Sequence, residues 1–265
     1  MTEKKSKQNK FGLSRYVPSD VARTIRKRCG FGCVICGLGF YDYEHFAPDF
    51  AEAREHHPDG MTLLCSQCNQ KRARGRLSAE TVAEANRNPR CLQKGFSHEM
   101  FDFASGEVEV IFAGVSFFDC QHLIMVNGQS ILSIKPPAEA GQSVLLSGLF
   151  TDGMGRTTLV VEDNVWMAQS SNWDVECIGP RITVRTALGE IALQLLMEPS
   201  ASRLTIERLD MRYQGAHFKG DKGVLQLSLN GQGWNTFSAC SVRSCSVGIA
   251  IETGPRAAND RVFHA

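Results

Sequence analysis

The stretch that decides the reading runs Cys33-Val34-Ile35-Cys36-Gly37, then Tyr43-Glu44-His45-Phe46-Ala47-Pro48, then Leu63-Leu64-Cys65-Ser66-Gln67-Cys68-Asn69. Its outer parts are two C-x-x-C pairs. Two residues between paired thiolates let both sulfurs reach one ion, and a structural zinc takes four such ligands in a tetrahedron. Cys33, Cys36, Cys65 and Cys68 therefore make a complete Zn²⁺ set. Other readings stand beside this one. Either pair alone has the spacing of a redox dithiol, although no βαβ pattern surrounds it. Cysteine is also a common core residue, but two matched pairs with glycines beside the first weigh against simple burial. Cys29 lies near enough to the first pair to replace a ligand. Cys91, Cys120, Cys177, Cys240 and Cys245 show no ligand spacing and read as structural.

Outward from this stretch, the chain of 265 residues has room for one large or two ordinary domains. Its composition, 43% hydrophobic and 22% charged, excludes a disordered chain and fits a globular one. The formal net charge of +1 does not advertise a nucleic-acid partner, but the distribution of charge does. Residues 1–30 carry Lys4, Lys5, Lys7, Lys10, Arg15, Arg23, Arg26, Lys27 and Arg28 against Glu3 and Asp20, and a second run holds Lys71, Arg72, Arg74 and Arg76. Local patches set encounters with phosphates; their plain alternative is a solvated surface, the better reading for the first ten residues. No window is apolar enough to span a bilayer. MTEKKSKQNK has no apolar stretch behind it to make a signal peptide. The expectation is a cytoplasmic protein with no membrane partner, in which ten cysteines do not form a disulfide framework.

Residues 1–14, polar and basic, read as a disordered tail. Ser19 or Asp20 caps an expected helix over VARTIRKRC, which carries Arg23, Arg26 and Lys27. FYDYEHF and Met61–Leu64 read as short strands, residues 47–60 as a polar loop, and the stretch from Cys68 through NQKRARG as a helix. A further helix follows Ser78. Near residue 100 the pattern changes to short β-branched and aliphatic runs: VEVIF, HLIMVNGQSILSI, SVLLSGLF, TTLVV, RITVRT, EIALQLL, RLTIERL and VLQLSL. Asn127-Gly128 between two such runs is a hairpin signal. Residues 101–265 thus read as an all-β domain of sandwich, barrel or solenoid form. Asp163-Asn164 and Asn172-Trp173-Asp174 read as acidic loops, with calcium a remote reading.

Glu44, His45 and Asn69 supply a set suited to phosphodiester hydrolysis. A neutral histidine takes a proton from water near pH 7, and a carboxylate and an amide oxygen are hard ligands for Mg²⁺. Taken alone, Glu44-His45 reads equally as a surface pair and Asn69 as a helix cap. His56 and His57 fall in the polar loop and read as solvent-exposed.

The succession C-x-x-C, acidic-His-x-x-Pro, L-L-C-x-x-C-N-x-x-R resembles the HNH (ββα-metal) endonuclease family of the four-cysteine zinc type, over residues 25–76. The resemblance implies an α+β chain: a zinc-stapled ββα module within residues 15–100, followed by the all-β domain. It implies a DNA endonuclease in which His45 is the general base and Glu44 and Asn69 hold a catalytic Mg²⁺ or Mn²⁺. Lys71, Arg72, Arg74 and Arg76, with Arg23, Arg26 and Lys27 as a second row, would contact double-stranded DNA. Two positions depart from the family: its loop asparagine, which tethers the loop and orients the histidine, is Gly60 here, with Asp59 beside it as a turn-capping substitute, and its first letter, more commonly aspartate or histidine, is Glu44, still a competent ligand. Two further readings stay open: a non-catalytic zinc module that binds nucleic acid, and an interaction protein whose β domain takes a protein partner or a second copy of the chain. The joining of a nuclease to an appended β domain leans towards restriction or phage defence.

Overall fold

In the computed structural model, residues 8–103, 106–137, 139, 142–221 and 223–254 are described. The chain divides into two compact units, Met1–Met100 with Trp166–Gly189, and Phe101–Val165 with Glu190–Ala265. The fold mixes a small, partly helical unit that carries the two C-x-x-C pairs with a larger β-rich one.

The first unit opens with α1 (Ser19–Cys29), whose Ala22, Ile25, Arg26 and Cys29 are buried along one stripe. Pro18, not Ser19 or Asp20, sits at its N-cap, and Gly30 ends it in the left-handed conformation, bonding back to the last turn. Next come β1 (Asp42–His45) and β2 (Met61–Leu64), paired antiparallel so that Glu44 lies opposite Thr62 and His45 opposite Met61. Then follow α2 (Ser66–Ala73), α3 (Ala79–Arg87), α4 (Arg90–Lys94) and β3 (Phe96–Met100). Ser78 caps α3 by accepting the Thr81 N–H, as its sequence leads one to expect. Ile25, Val34, Met61, Leu63, Leu64 and Val82 close a core around the cysteines.

The second unit begins with β4 (Glu109–Phe112), β5 (Val115–Val126), β6 (Gln129–Lys135), β7 (Leu145–Thr151) and β8 (Thr157–Glu162), an antiparallel meander. Asn127 and Gly128 both take positive φ at the β5–β6 turn, the geometry a two-residue hairpin needs. The chain then returns to the first unit for β9 (Val165–Gln169), β10 (Asp174–Ile178) and β11 (Arg181–Ala187). It finishes in the second unit with β12 (Glu190–Glu198), β13 (Arg203–Tyr213), β14 (Ala216–Asp221), β15 (Val224–Leu229), β16 (Gln232–Ser238) and β17 (Cys240–Ile251). Two pairings are parallel, β13 with β4 and β17 with β5. The long strands allow this by changing partners along their length: β13 meets β4 at Arg203–Ile206 and β14 at Arg208–Tyr213.

Two expectations need adjustment. The tail expected over 1–14 is pinned wherever it is described: residues 1–7 lie outside the described residues, but Gln8 bridges to Ser14 and the Asn9 amide donates to the carbonyls of Phe50 and Ala53. The boundary at residue 101 also misses β10 and β11. They pack on α1 through charge, since Arg26 forms a paired hydrogen bond with Asp174 at 2.9 and 2.7 Å. Its third nitrogen reaches Glu176 and the Tyr43 hydroxyl, and Arg185 closes the network from β11.

Candidate metal centre and adjoining histidine pair

The knuckle that presents the first cysteine pair is set by backbone bonds. The Cys33 N–H donates to Leu38 O and the Gly37 N–H to Cys33 O, both at 2.8 Å. This tight return needs Gly37 at φ 89°. The Val34 N–H donates to Leu63 O, docking the knuckle on β2. β2 runs straight into the second pair: Cys65 is the N-cap of α2, its sulfur accepting the Cys68 N–H. The two pairs converge from these elements, and their four sulfurs all lie within 4.8 Å of one another. Cys36 is 3.6 Å from Cys65 and 4.0 Å from Cys68. Four ligands around one Zn²⁺ at the usual Zn–S length would stand about 3.8 Å apart, so the donor set fits that ion in number, chemistry and spacing.

The packed thiols also shift one another's protonation. A hydrogen bond from Cys36 holds the Cys33 thiol down to about 5 against the burial that pushes it up, while burial and the neighbouring sulfurs push Cys68 up to about 12. Four thiols packed together cannot all ionise unless a cation joins them. Cys29 does not replace a ligand, since it stands outside the quartet and its sulfur faces the Thr62 hydroxyl at 3.8 Å. Among the described residues the quartet is the one gathering of three or more His, Cys, Asp or Glu donors.

Glu44 and His45 close β1, and Asn69 sits in α2 with its N–H on Cys65 O. Glu44 and Asn69 are half-buried; His45 is buried. Burial first, then the charges of His56 and Arg15, hold the His45 imidazole down to about 4, with Asp49 pulling the other way. The ring is therefore neutral at pH 7. Its Nε2 lies 3.0 Å from His56 Nδ1, and its face meets Phe50. His56 is thus not the exposed loop residue its polar surroundings suggest.

Gly60 tethers the loop without a side chain. Its carbonyl accepts the N–H groups of Phe46 and Ala47 at 3.0 and 3.2 Å. A Cβ there would stand 2.2 Å from Ala47 O, so only glycine allows the approach. Asp59, the expected substitute, is exposed and pairs instead with Arg28.

The basic residues separate into two groups. Lys71, Arg74 and Arg76 are exposed, whereas Arg72 turns inward to pair with Asp49 on the loop. On α1, Arg26 is 4% exposed and committed to Asp174 and Glu176. Lys27 donates to Asn172 O, and Arg23 stacks on Trp173 at 3.5 Å. The three residues expected as a second row of DNA-binding cations thus have partners within the chain, Arg26 buried, Arg23 half-buried and Lys27 exposed, and Asp174 serves Arg26. The sequence carried a signal for this in the alternation of Asp174 and Glu176, two like charges on one strand face that need cations opposite. Compared with known proteins, the chain matches no family model, no curated protein and no solved structure.

Proposed function

We propose that the first unit is a zinc-stapled, metal-dependent DNA endonuclease of the HNH type. The observation that carries the reading is the joint placement of two things: a neutral, buried histidine at the end of β1, and a cysteine quartet that fixes β2 and the start of α2 beside it. Zn²⁺ in the quartet would hold Glu44, His45 and Asn69 on a rigid frame. A single Mg²⁺ or Mn²⁺ on Glu44 and Asn69 would supply charge stabilisation at the scissile phosphate; one carboxylate, one amide and substrate oxygens suit that hard cation.

The chain's own residues do the rest. His45 accepts the proton of the attacking water. Lys71, Arg74 and Arg76 grip neighbouring phosphates. Arg72 holds the loop through Asp49 and so maintains the approach to His45. Incubation of the purified protein with plasmid DNA, with and without Mg²⁺ or Mn²⁺, tests the proposal. Cation-dependent cleavage is expected, and His45→Ala removes it while leaving DNA binding near the parent level. Cleavage at the parent rate by His45→Ala overturns the assignment.

One observation favours a second reading, a zinc module that binds DNA without cutting it. Gly60 stands where the family's asparagine would orient the histidine. DNA binding without cleavage in any divalent cation would select that reading.

A further inference from the structure

We propose that His56 is a positioning residue that fixes His45 as its Nε2–H tautomer and leaves Nδ1 as the nitrogen that receives the proton. The inference rests on the nuclease reading for its purpose but on hydrogen-bond polarity for its content. His56 Nε2 lies 2.8 Å from the Ser14 carbonyl. A carbonyl only accepts, so this nitrogen carries the proton. With His56 as a neutral imidazole, which has one N–H, its Nδ1 is a lone-pair acceptor. His45 Nε2, 3.0 Å away, must then be the donor. The bare nitrogen of His45 is Nδ1 by elimination, and a general base is useful only through its bare nitrogen.

The chain anchors this relay at its far end. Ser14 belongs to the segment from Gln8 that clasps the loop: Asn9 donates to Phe50 O and Ala53 O, and its own side-chain oxygen accepts the Phe11 and Leu13 N–H groups. Lys10 pairs with Glu52, while Arg15 and Arg54 stack on Phe50 and Phe11. Ser14 O is therefore held against the loop that carries His56. The rival arrangement is a cation clamped between the two facing nitrogens, which would leave neither ring donating to the other.

Side-chain nitrogen NMR on ¹⁵N-labelled protein, loaded with Zn²⁺ alone, tests the tautomer without any cleavage assay. The expected spectrum shows His45 protonated at Nε2 and bare at Nδ1. His56→Ala should lose that single tautomer. His56→Asn, whose side-chain oxygen can take the place of Nδ1 as an acceptor, should keep it. In the cleavage assay His56→Ala should lower kcat about tenfold to a hundredfold with KM little changed, and His56→Asn should recover most of it. A His45 ring protonated at Nδ1 overturns the proposal, as does a kcat for His56→Ala equal to the parent's. If the tautomer and its dependence on His56 are as stated but the parent cuts nothing, the positioning stands and the nuclease reading falls.

Discussion

At Gly60 one residue decides whether the histidine loop closes. The carbonyl of Gly60 tethers the loop by accepting the Phe46 and Ala47 N–H groups, and Ala47 O occupies the space a side chain would need. Placing an asparagine there should therefore harm the protein. Gly60→Asn and Gly60→Ala both force backbone apart, at a cost of about 1–3 kcal/mol. Urea unfolding should show that loss, and cleavage by either variant should fall below the parent's. A Gly60→Asn variant more active than the parent would show that the backbone tether is only a remnant. From sequence, position 60 read as a loss, because a motif records side chains and the compensating group is a carbonyl. The cysteine quartet was legible for the opposite reason, since metal ligation constrains side-chain identity and spacing directly. His56 escaped notice because its partner lies across a loop whose path no local pattern reveals.

Among the elements, α1 and α2 carry similar basic runs and put them to different uses. The run at the end of α2 and just past it keeps Lys71, Arg74 and Arg76 in solvent, whereas α1 commits Arg23, Arg26 and Lys27 to β10 and the residues just before it. Removing one phosphate-binding cation should flatten the dependence of log affinity on log salt by about one unit. Replacing Lys71, Arg74 and Arg76 with alanine should therefore lower the slope by about three units, for any DNA sequence. Lys27→Ala should leave it unchanged. A titration over a range of NaCl concentrations measures both, and an unchanged slope for the triple variant removes α2 from the binding surface. The buried ion pair of α1 makes its own prediction. Asp174→Ala removes the two-pronged partner of the almost fully enclosed Arg26 guanidinium, leaving it Glu176 and the Tyr43 hydroxyl, and should cost about 3 kcal/mol in denaturant unfolding. Losing less than about 1 kcal/mol would mean that the guanidinium finds water. The strands of the β-rich half were largely legible because hydrophobic runs and turn residues mark them locally. The membership of β10 and β11 was not, because it depends on charges paired 148 residues apart in the chain.

For the whole molecule, the path of the chain bears on how it comes apart. The first unit is discontinuous: Trp166–Gly189 leaves the β-rich unit, joins the N-terminal hundred residues and returns. The core of the first unit gathers around the cysteine quartet, with Cys33, Cys65 and Cys68 all buried in it. The second unit buries Phe112, Phe150 and Phe218 in a core of its own, which holds none of the four paired cysteines. A structural zinc contributes folding free energy directly, so a strong chelator should unfold the two units unequally. Hydrogen exchange followed by mass spectrometry should show protection lost from α1, β1, β2 and α2. Protection should persist in β5, β6, β7 and β13, whose pairing partners all belong to the second unit. The segment Trp166–Gly189 is the discriminating region, because its ends are held by the second unit while the carboxylates of β10 belong to α1. With α1 melted, Asp174 and Glu176 lose Arg26 and keep only Arg185. Exchange in β10 and β11 should then rise to a level between those of the two units, and readdition of Zn²⁺ should restore it together with α1. Loss of protection throughout the chain at one chelator concentration would show that the two units fold as a single cooperative body.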